Sequence, residues 1–155
     1  MKIMACLLLA AGALVCSASA AVVHYQFDLS GLQEVPPNAS PATGFADVTL
    51  DTDTNLLSWN ITYSGLLAPI SNSHFHQAPA GTNGPVVVPI GPLPSPIIGS
   101  TNITDAFETA VLAGNAYFNI HTSVFPGGEI RGQVVPEPTS LALLGLAGLT
   151  VLRRR

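Results

Sequence analysis

Between residues 21 and 135 the sequence contains no lysine and no cysteine, and Arg131 is the single arginine. Eight acidic residues against one arginine give this stretch a net charge of −7 with histidine neutral. Nucleic-acid binding requires cations that displace counterions from phosphates, so this charge balance excludes a nucleic-acid partner. Both cysteines of the chain, Cys6 and Cys16, precede residue 21. The stretch therefore has no disulfide, and packing alone must stabilise it.

The first twenty residues have the three regions of a secretory signal peptide. Lys2 gives a basic start, an apolar run covers 4–15, and small residues follow. The Ala-Ser-Ala sequence at 18–20 predicts cleavage between Ala20 and Ala21. The apolar run is shorter than the ~20 residues that a membrane span needs, which argues against a retained anchor. We therefore expect export of a domain that begins at residue 21.

The last twenty residues combine three unlike features in a fixed order. They are the motif Pro136, Glu137 and Pro138, the apolar stretch 141–152, and the terminal Arg153, Arg154 and Arg155. Leucine and alanine favour a membrane helix here, and the positive-inside rule keeps the arginines in the cytoplasm. The arrangement resembles the PEP-CTERM sorting signal of Gram-negative bacteria. This resemblance implies an inner-membrane intermediate, processing by an exosortase, and delivery to the cell surface or extracellular matrix.

The central stretch has the alternating apolar and polar residues of β-strands. We predict seven strands, at 22–30, 44–51, 56–63, 71–77, 86–88, 116–122 and 129–135. A polar turn at 51–55 makes the second and third strands a hairpin, and the Gly- and Pro-rich segment 78–99 is the least predictable. Thr104 as an N-cap and Gly114 as a stop predict one short helix between them. These elements predict an all-β fold, a sandwich or an open barrel.

Three of the four histidines lie in two predicted strands, His74 and His76 in one and His121 in another. Residues i and i+2 share one face of a strand, so His74 and His76 could present two imidazoles to one metal ion. His121 could supply a third, and such a donor set suits copper or zinc. The alternative is that these histidines bond to loop backbone or line a polar seam without metal.

Glu129 and Arg131 are also two residues apart, and a buried arginine needs a partner. We predict a structural ion pair between them, with Glu34 or an aspartate as the other candidate partners. No serine lies in a Gly-x-Ser-x-Gly elbow, and no phosphate-cradling loop is present. The sequence offers no catalytic residue, so we predict that the protein is not an enzyme.

Five sequence runs in a fixed order resemble the CHRD domain family. They are Gln-Glu-Val-Pro-Pro at 33–37, Tyr-Ser-Gly-Leu at 63–66, His-Phe-His at 74–76, Asn-Ile-His-Thr at 119–122 and Pro-Gly-Gly-Glu-Ile-Arg-Gly-Gln at 126–133. With the two targeting signals, the resemblance divides the chain into a signal peptide at 1–20, a CHRD domain at 21–135 and a sorting signal at 136–155. It implies an immunoglobulin-like Greek-key β-sandwich, and with the targeting signals a surface or matrix module that binds an extracellular protein or polysaccharide.

The sequence has a His-x-His pair, a later histidine and a final Arg-Gly. This order is also similar to the order of such features in copper-zinc superoxide dismutase. The domain lacks the cysteines for that family's disulfide, and its four histidines are too few for two metal sites. These departures argue against a dinuclear dismutase. Two functions are therefore expected: a noncatalytic binding module without a cofactor, or a mononuclear copper- or zinc-binding protein with a dismutase-like histidine site.

Overall fold

The computed structural model describes residues 22–135, which form eight antiparallel strands, one α-helix and one short 3-10 helix. In chain order they are β1 (Val22–Ser30), η1 (Gly31–Gln33), β2 (Thr43–Asp51), β3 (Leu56–Ser64), β4 (Ile70–Gln77), β5 (Val86–Pro89), β6 (Ile97–Asn102), α1 (Asp105–Leu112), β7 (Ala116–Thr122) and β8 (Ile130–Gln133). The strands make one sheet in the order β5-β4-β7-β8-β1-β2-β3-β6. The prediction of an all-β fold with one short helix is confirmed.

The sheet consists of two four-stranded halves that face each other across the core. The halves join where β1 pairs with β8 at a single residue pair, Ser30 opposite Arg131. Trp59 of β3 contacts Phe75 of β4 with ring centroids 5.5 Å apart, and Phe75 contacts Phe118 of β7 at 5.0 Å. This curled sheet is compatible with the predicted Greek-key sandwich, since each half forms one layer.

Alternation along the strands decides which side chains enter the core. In β1, Tyr25, Phe27 and Leu29 are buried while the residues between them are exposed. Each large apolar side chain removed from water contributes about 1.5–3 kcal/mol to folding.

The predicted hairpin is confirmed, because β2 and β3 pair along their whole length. Its turn is stabilised by Asp51, whose carboxylate accepts the backbone N–H groups of Asp53 and Thr54.

The helix α1 begins and ends where the sequence predicts. The side chain of Thr104 accepts a hydrogen bond from the backbone N–H of Phe107 at 3.3 Å, which caps the first turn. Gly114 has a φ of 71°, a conformation that ends a helix and that glycine adopts without strain. Between these residues the helix buries Phe107 and Val111 in the core.

The sequence pattern did not predict β6, which lies partly in the Gly- and Pro-rich segment. Glycine, serine and asparagine in this strand have low β propensity. Gly99 is required in β6 because Trp59 of the neighbouring strand packs against it. A Cβ atom on Gly99 would lie 2.7 Å from Cζ2 of Trp59, so the indole ring packs directly over the glycine. The facing edges of β5 and β6, with Trp59 between them, line a cleft of about 550 Å³.

Within residues 22–135, no helix is long and apolar enough to cross a membrane. The predicted signal peptide, its cleavage point at Ala20 and Ala21, and the apolar stretch 141–152 lie outside the described residues.

Replacing Gly99 by alanine tests the contact with Trp59. We expect Gly99→Ala to lower the free energy of unfolding by about 1–3 kcal/mol, because the added methyl group forces the indole out of place. Gly127→Ala is the matched control, since a Cβ atom there meets nothing within 4 Å. Urea unfolding followed by tryptophan fluorescence measures both changes. Equal stability of the two variants would contradict close packing of Trp59 on Gly99.

Candidate metal centre

The three candidate histidines lie on the outer face of β4 and β7. In β4, Phe75 points into the core, so His74 and His76 on either side of it point away from the core. In β7 the same alternation places His121 outside, between the buried Ile120 and Thr122. Cross-strand pairing brings the two strands into register, with His74 opposite Asn119. The sheet therefore places all three imidazoles on one patch of its surface.

One ring nitrogen from each of the three histidines lies within 4.8 Å of the others. The closest pair is Nδ1 of His74 and Nε2 of His121, 3.2 Å apart. Nitrogens that share one zinc ion lie about 2.0–2.1 Å from it. Side-chain rotations that move the ring nitrogens by about 1 Å would bring all three within bonding distance of one ion. The histidines, which are far apart in sequence, thus form a cluster with the spacing of a metal site.

Two of these histidines are held by backbone carbonyl groups. Nδ1 of His76 lies 3.0 Å from the carbonyl oxygen of Gly84, and Nδ1 of His121 lies 2.9 Å from that of Pro126. A carbonyl oxygen only accepts, so neutral His76 carries its proton on Nδ1 and a lone pair on Nε2. This is the orientation in which metal-ligating histidines are usually held. The Nε2 atom of His76 is buried and has no hydrogen-bond partner.

Asn119 completes the polar surroundings of the cluster. Its side-chain oxygen lies 2.9 Å from Nε2 of His121, and the residue is buried. Nε2 of His121 therefore faces an amide group and another imidazole at hydrogen-bond distance. Asn119 was not predicted as a site residue, although its position two residues before His121 in a strand places it on the same face.

Burial keeps the cluster in the form that can bind a metal ion. Burial, together with the neighbouring His121 and His76, lowers the pKa of His74 to about 4. Burial also lowers the pKa of His121, while its hydrogen bond to Pro126 opposes the shift. Metal ions bind imidazole only in its neutral form. His74 and His121 therefore need to release no proton to a metal ion at neutral pH.

A stack of three side chains lies behind the cluster, formed by His76, Tyr117 and Arg131. The rings of His76 and Tyr117 are stacked with centroids 4.6 Å apart and planes 6° from parallel. The guanidinium carbon of Arg131 lies 3.4 Å from the centroid of the Tyr117 ring. This distance defines a cation–π contact, which stabilises a buried cation. Tyr117, like Asn119, was not predicted and lies on the His121 face of β7.

The predicted ion pair between Glu129 and Arg131 is not formed within the described part of the chain. The Glu129 carboxylate accepts hydrogen bonds from the Ser40 and Thr122 hydroxyls and the backbone N–H of Leu67. The Arg131 guanidinium donates to the side-chain oxygens of Asn83 and Gln133 at 3.3 and 3.2 Å. The prediction was wrong because loop donors satisfy the carboxylate, and neutral amides and an aromatic ring satisfy the cation.

Glu34 is the acidic residue that interacts electrostatically with Arg131. Burial raises the pKa of Glu34 to about 7, because a carboxylate is poorly solvated there. The positive charge of Arg131 and the backbone N–H of Val35 oppose this shift without cancelling it. One carboxyl oxygen of Glu34 is buried without a hydrogen-bond partner. From the sequence, Glu34 was predicted only as an alternative partner of Arg131.

A cavity of about 550 Å³ lies away from the cluster, between the edges of β5 and β6. None of the residues that line it is ionisable. The lining of this cleft therefore offers no titratable or metal-binding side chain.

Comparison with protein families agrees with this architecture. The family model for the CHRD domain matches residues 25–134, which include every strand from β2 to β8 and the histidine cluster. The chain belongs to the CHRD family. No curated protein and no solved structure matches the chain. The CHRD assignment from sequence is therefore confirmed by the family model.

A second family model, for the PEP-CTERM protein-sorting motif, matches residues 134–155. The CHRD domain is thus followed directly by a sorting motif, and the chain is an exported, sorted protein that an exosortase processes. The individual sorting residues lie outside the described residues. They are Pro136, Glu137, Pro138, Arg153, Arg154 and Arg155.

The raised pKa of Glu34 makes stability depend on pH in a defined direction. Between the usual pKa of 4.5 and about 7, the folded CHRD domain holds a proton that the unfolded chain releases. The contribution of Glu34 to the free energy of unfolding therefore falls by on the order of 2 kcal/mol as the pH rises through this window. Glu34→Gln should abolish this fall, and the exposed Asp53→Asn is the control. Urea unfolding at pH 5 and pH 8 measures it; an unchanged pH profile in Glu34→Gln would contradict the shift.

Proposed function

We propose that this protein is a noncatalytic cell-surface or matrix protein whose CHRD domain binds one copper or zinc ion through His74, His76 and His121. The buried Nε2 atom of His76 supports this most directly, because it has no hydrogen-bond partner. A buried polar atom without a partner costs about 1–3 kcal/mol. A metal ion within the cluster would bond to this atom and remove the cost.

The donor set supports a transition metal over a hard cation. Three imidazoles and a nearby amide oxygen suit zinc or copper, whereas calcium and magnesium require carboxylate and carbonyl oxygens. The carbonyl groups of Gly84 and Pro126 already orient His76 and His121. The alternative interpretation, that the histidines only bond to loop backbone, accounts for these two Nδ1 atoms. It does not account for the lone pair left on His76.

The surroundings of the cluster support a binding role without catalysis. Within residues 22–135, none of the hydrogen-bond partners of the three histidines is a carboxylate or a hydroxyl group. A general acid or base beside a metal-bound group must lie within hydrogen-bond reach, and the cluster has no carboxylate or hydroxyl hydrogen-bonded to it for that role. The ion would therefore stabilise the domain or be carried by it.

The sorting motif supports a surface destination for this metal-binding domain. An inner-membrane intermediate precedes processing, and the released domain reaches the cell surface or matrix of a Gram-negative bacterium. Its net charge of −7 keeps the domain soluble there. An extracellular protein or polysaccharide remains the proposed partner.

Metal titration of the purified full chain tests the site. We expect one copper or zinc ion per chain, with a rise in melting temperature at saturation because the ion binds only the folded state. His74→Ala should weaken binding at least about tenfold, and the double variant His74→Ala/His76→Ala should abolish it.

His24→Ala is the matched control for this titration, because His24 is exposed on β1, away from the cluster. Its stoichiometry and affinity should equal those of the wild type. Unchanged binding by the double variant, with normal folding by circular dichroism, would contradict the proposed site.

Deletion of residues 136–155 tests the surface destination. We expect the wild-type chain in the surface or matrix fraction of the native host, and the truncated chain in the periplasm or medium. Fractionation followed by immunoblotting measures the distribution. A Glu137→Gln variant separates recognition of the motif from loss of the whole tail. Full retention of the truncated chain at the surface would contradict sorting through this segment.

A further inference from the structure

Resting on the metal binding proposed above, we propose that the His74–His76–His121 centre is selective for monovalent copper, Cu(I), and that Arg131 sets this preference through Tyr117. Arg131 is a positioning and charge-setting residue here, since it lies behind a ligand and does not contact the ion. Cu(I) carries one positive charge, whereas Cu(II) and Zn(II) carry two. A fixed cation close to the centre therefore penalises the divalent ions more.

The stack of His76, Tyr117 and Arg131 brings that cation to the centre. Two aromatic layers separate the guanidinium from the cluster: the Tyr117 ring, 3.4 Å from the guanidinium carbon, and the His76 ring, 4.6 Å further on. Arg131 is 1% exposed and Tyr117 is 2% exposed. Water does not separate the charge from the ligand, so salt and solvent screen this interaction weakly.

Within residues 22–135, no carboxylate accepts a hydrogen bond from Arg131. The hydrogen-bond acceptors of Arg131 are the neutral amides of Asn83 and Gln133. Glu129 directs its carboxylate to other donors. Glu34 is the acid that interacts with Arg131, and its pKa of about 7 keeps it largely protonated in mildly acidic solution. The remaining acidic residues are outside the buried set, where solvent screens them.

The donors of the centre add no negative charge either. The three imidazoles are neutral ligands, and the nearby Asn119 contributes only an amide oxygen. A divalent ion bound here would place two positive charges near a third in a poorly screened environment. At an effective dielectric constant near 20, removal of one such interaction corresponds to about tenfold or more in relative affinity.

The test measures two quantities on the copper-loaded full chain at pH 6. The first is the reduction potential of the bound copper, from equilibrium redox titration. The second is the ratio of Cu(I) to Zn(II) affinity, from competition with chromophoric chelators. Arg131→Gln removes the charge and retains polar groups, and Arg131→Lys retains the charge. We expect Arg131→Gln to lower the potential and to reduce the affinity ratio about tenfold or more. Arg131→Lys should remain close to the wild type.

Asn83→Asp tests the same charge effect where Arg131→Gln fails to fold. Asn83 is exposed, and its side-chain oxygen already accepts a hydrogen bond from Arg131. A carboxylate at this position pairs with the guanidinium and offsets its charge while the stack stays intact. The potential and the affinity ratio should both fall, as in Arg131→Gln.

Three outcomes distinguish this inference from the proposed function. A fall in potential and ratio in the charge-removing variants, with recovery in Arg131→Lys, supports it. Metal binding with the same potential and ratio in all variants overturns the selectivity and leaves the metal site standing. Absence of copper and zinc binding by the wild type overturns both.

Discussion

Arg131 places the single guanidinium of the described domain in the interior, 1% exposed and in contact with the face of Tyr117. Removing a guanidinium from water costs several kcal/mol unless its surroundings compensate. Tyr117 of β7, Gln133 of β8 and Asn83 of a loop provide that compensation. Asn83 accepts from Arg131 and donates to the Val35 carbonyl, which ties two loops to the sheet. Gln133 accepts a hydrogen bond from Arg131 and donates to the backbone oxygens of Ala78 and Gly114.

Two buried carboxyl groups, those of Glu129 and Glu34, differ in their hydrogen bonding. Glu129 is completely buried and accepts three hydrogen bonds from groups in three other segments, so it connects loops that are distant in sequence. Glu34 has a buried oxygen without a partner, and its pKa rises because desolvation outweighs the attraction of Arg131. The two groups thus differ in the hydrogen bonds that they accept inside the domain. The first group holds the fold together, and the second makes it sensitive to pH.

Sequence patterns predicted the strands that alternate strongly and the helix that carries its own caps. β1, the β2–β3 hairpin and α1 depend on local information, which a short window contains. β6 depends on Gly99 under the Trp59 ring, a contact between strands that no local pattern indicates. In the site, the His-x-His spacing predicted a shared face for His74 and His76. The carbonyl partners, Asn119 and the stack on Tyr117 depend on strand pairing and loop positions, which only the folded chain defines.

The pairing of Ser30 with Arg131 has a consequence for the order of folding. These residues lie near opposite ends of the domain sequence, and their pairing joins the two halves of the sheet. Contacts between distant segments slow folding, because a long loop must close before they form. The first half can form its β1–β2–β3 meander early, but β8 must arrive before the sheet is continuous. Formation of the continuous sheet therefore depends on β8, the last strand of the domain. The sorting motif begins directly after this strand, at residue 134.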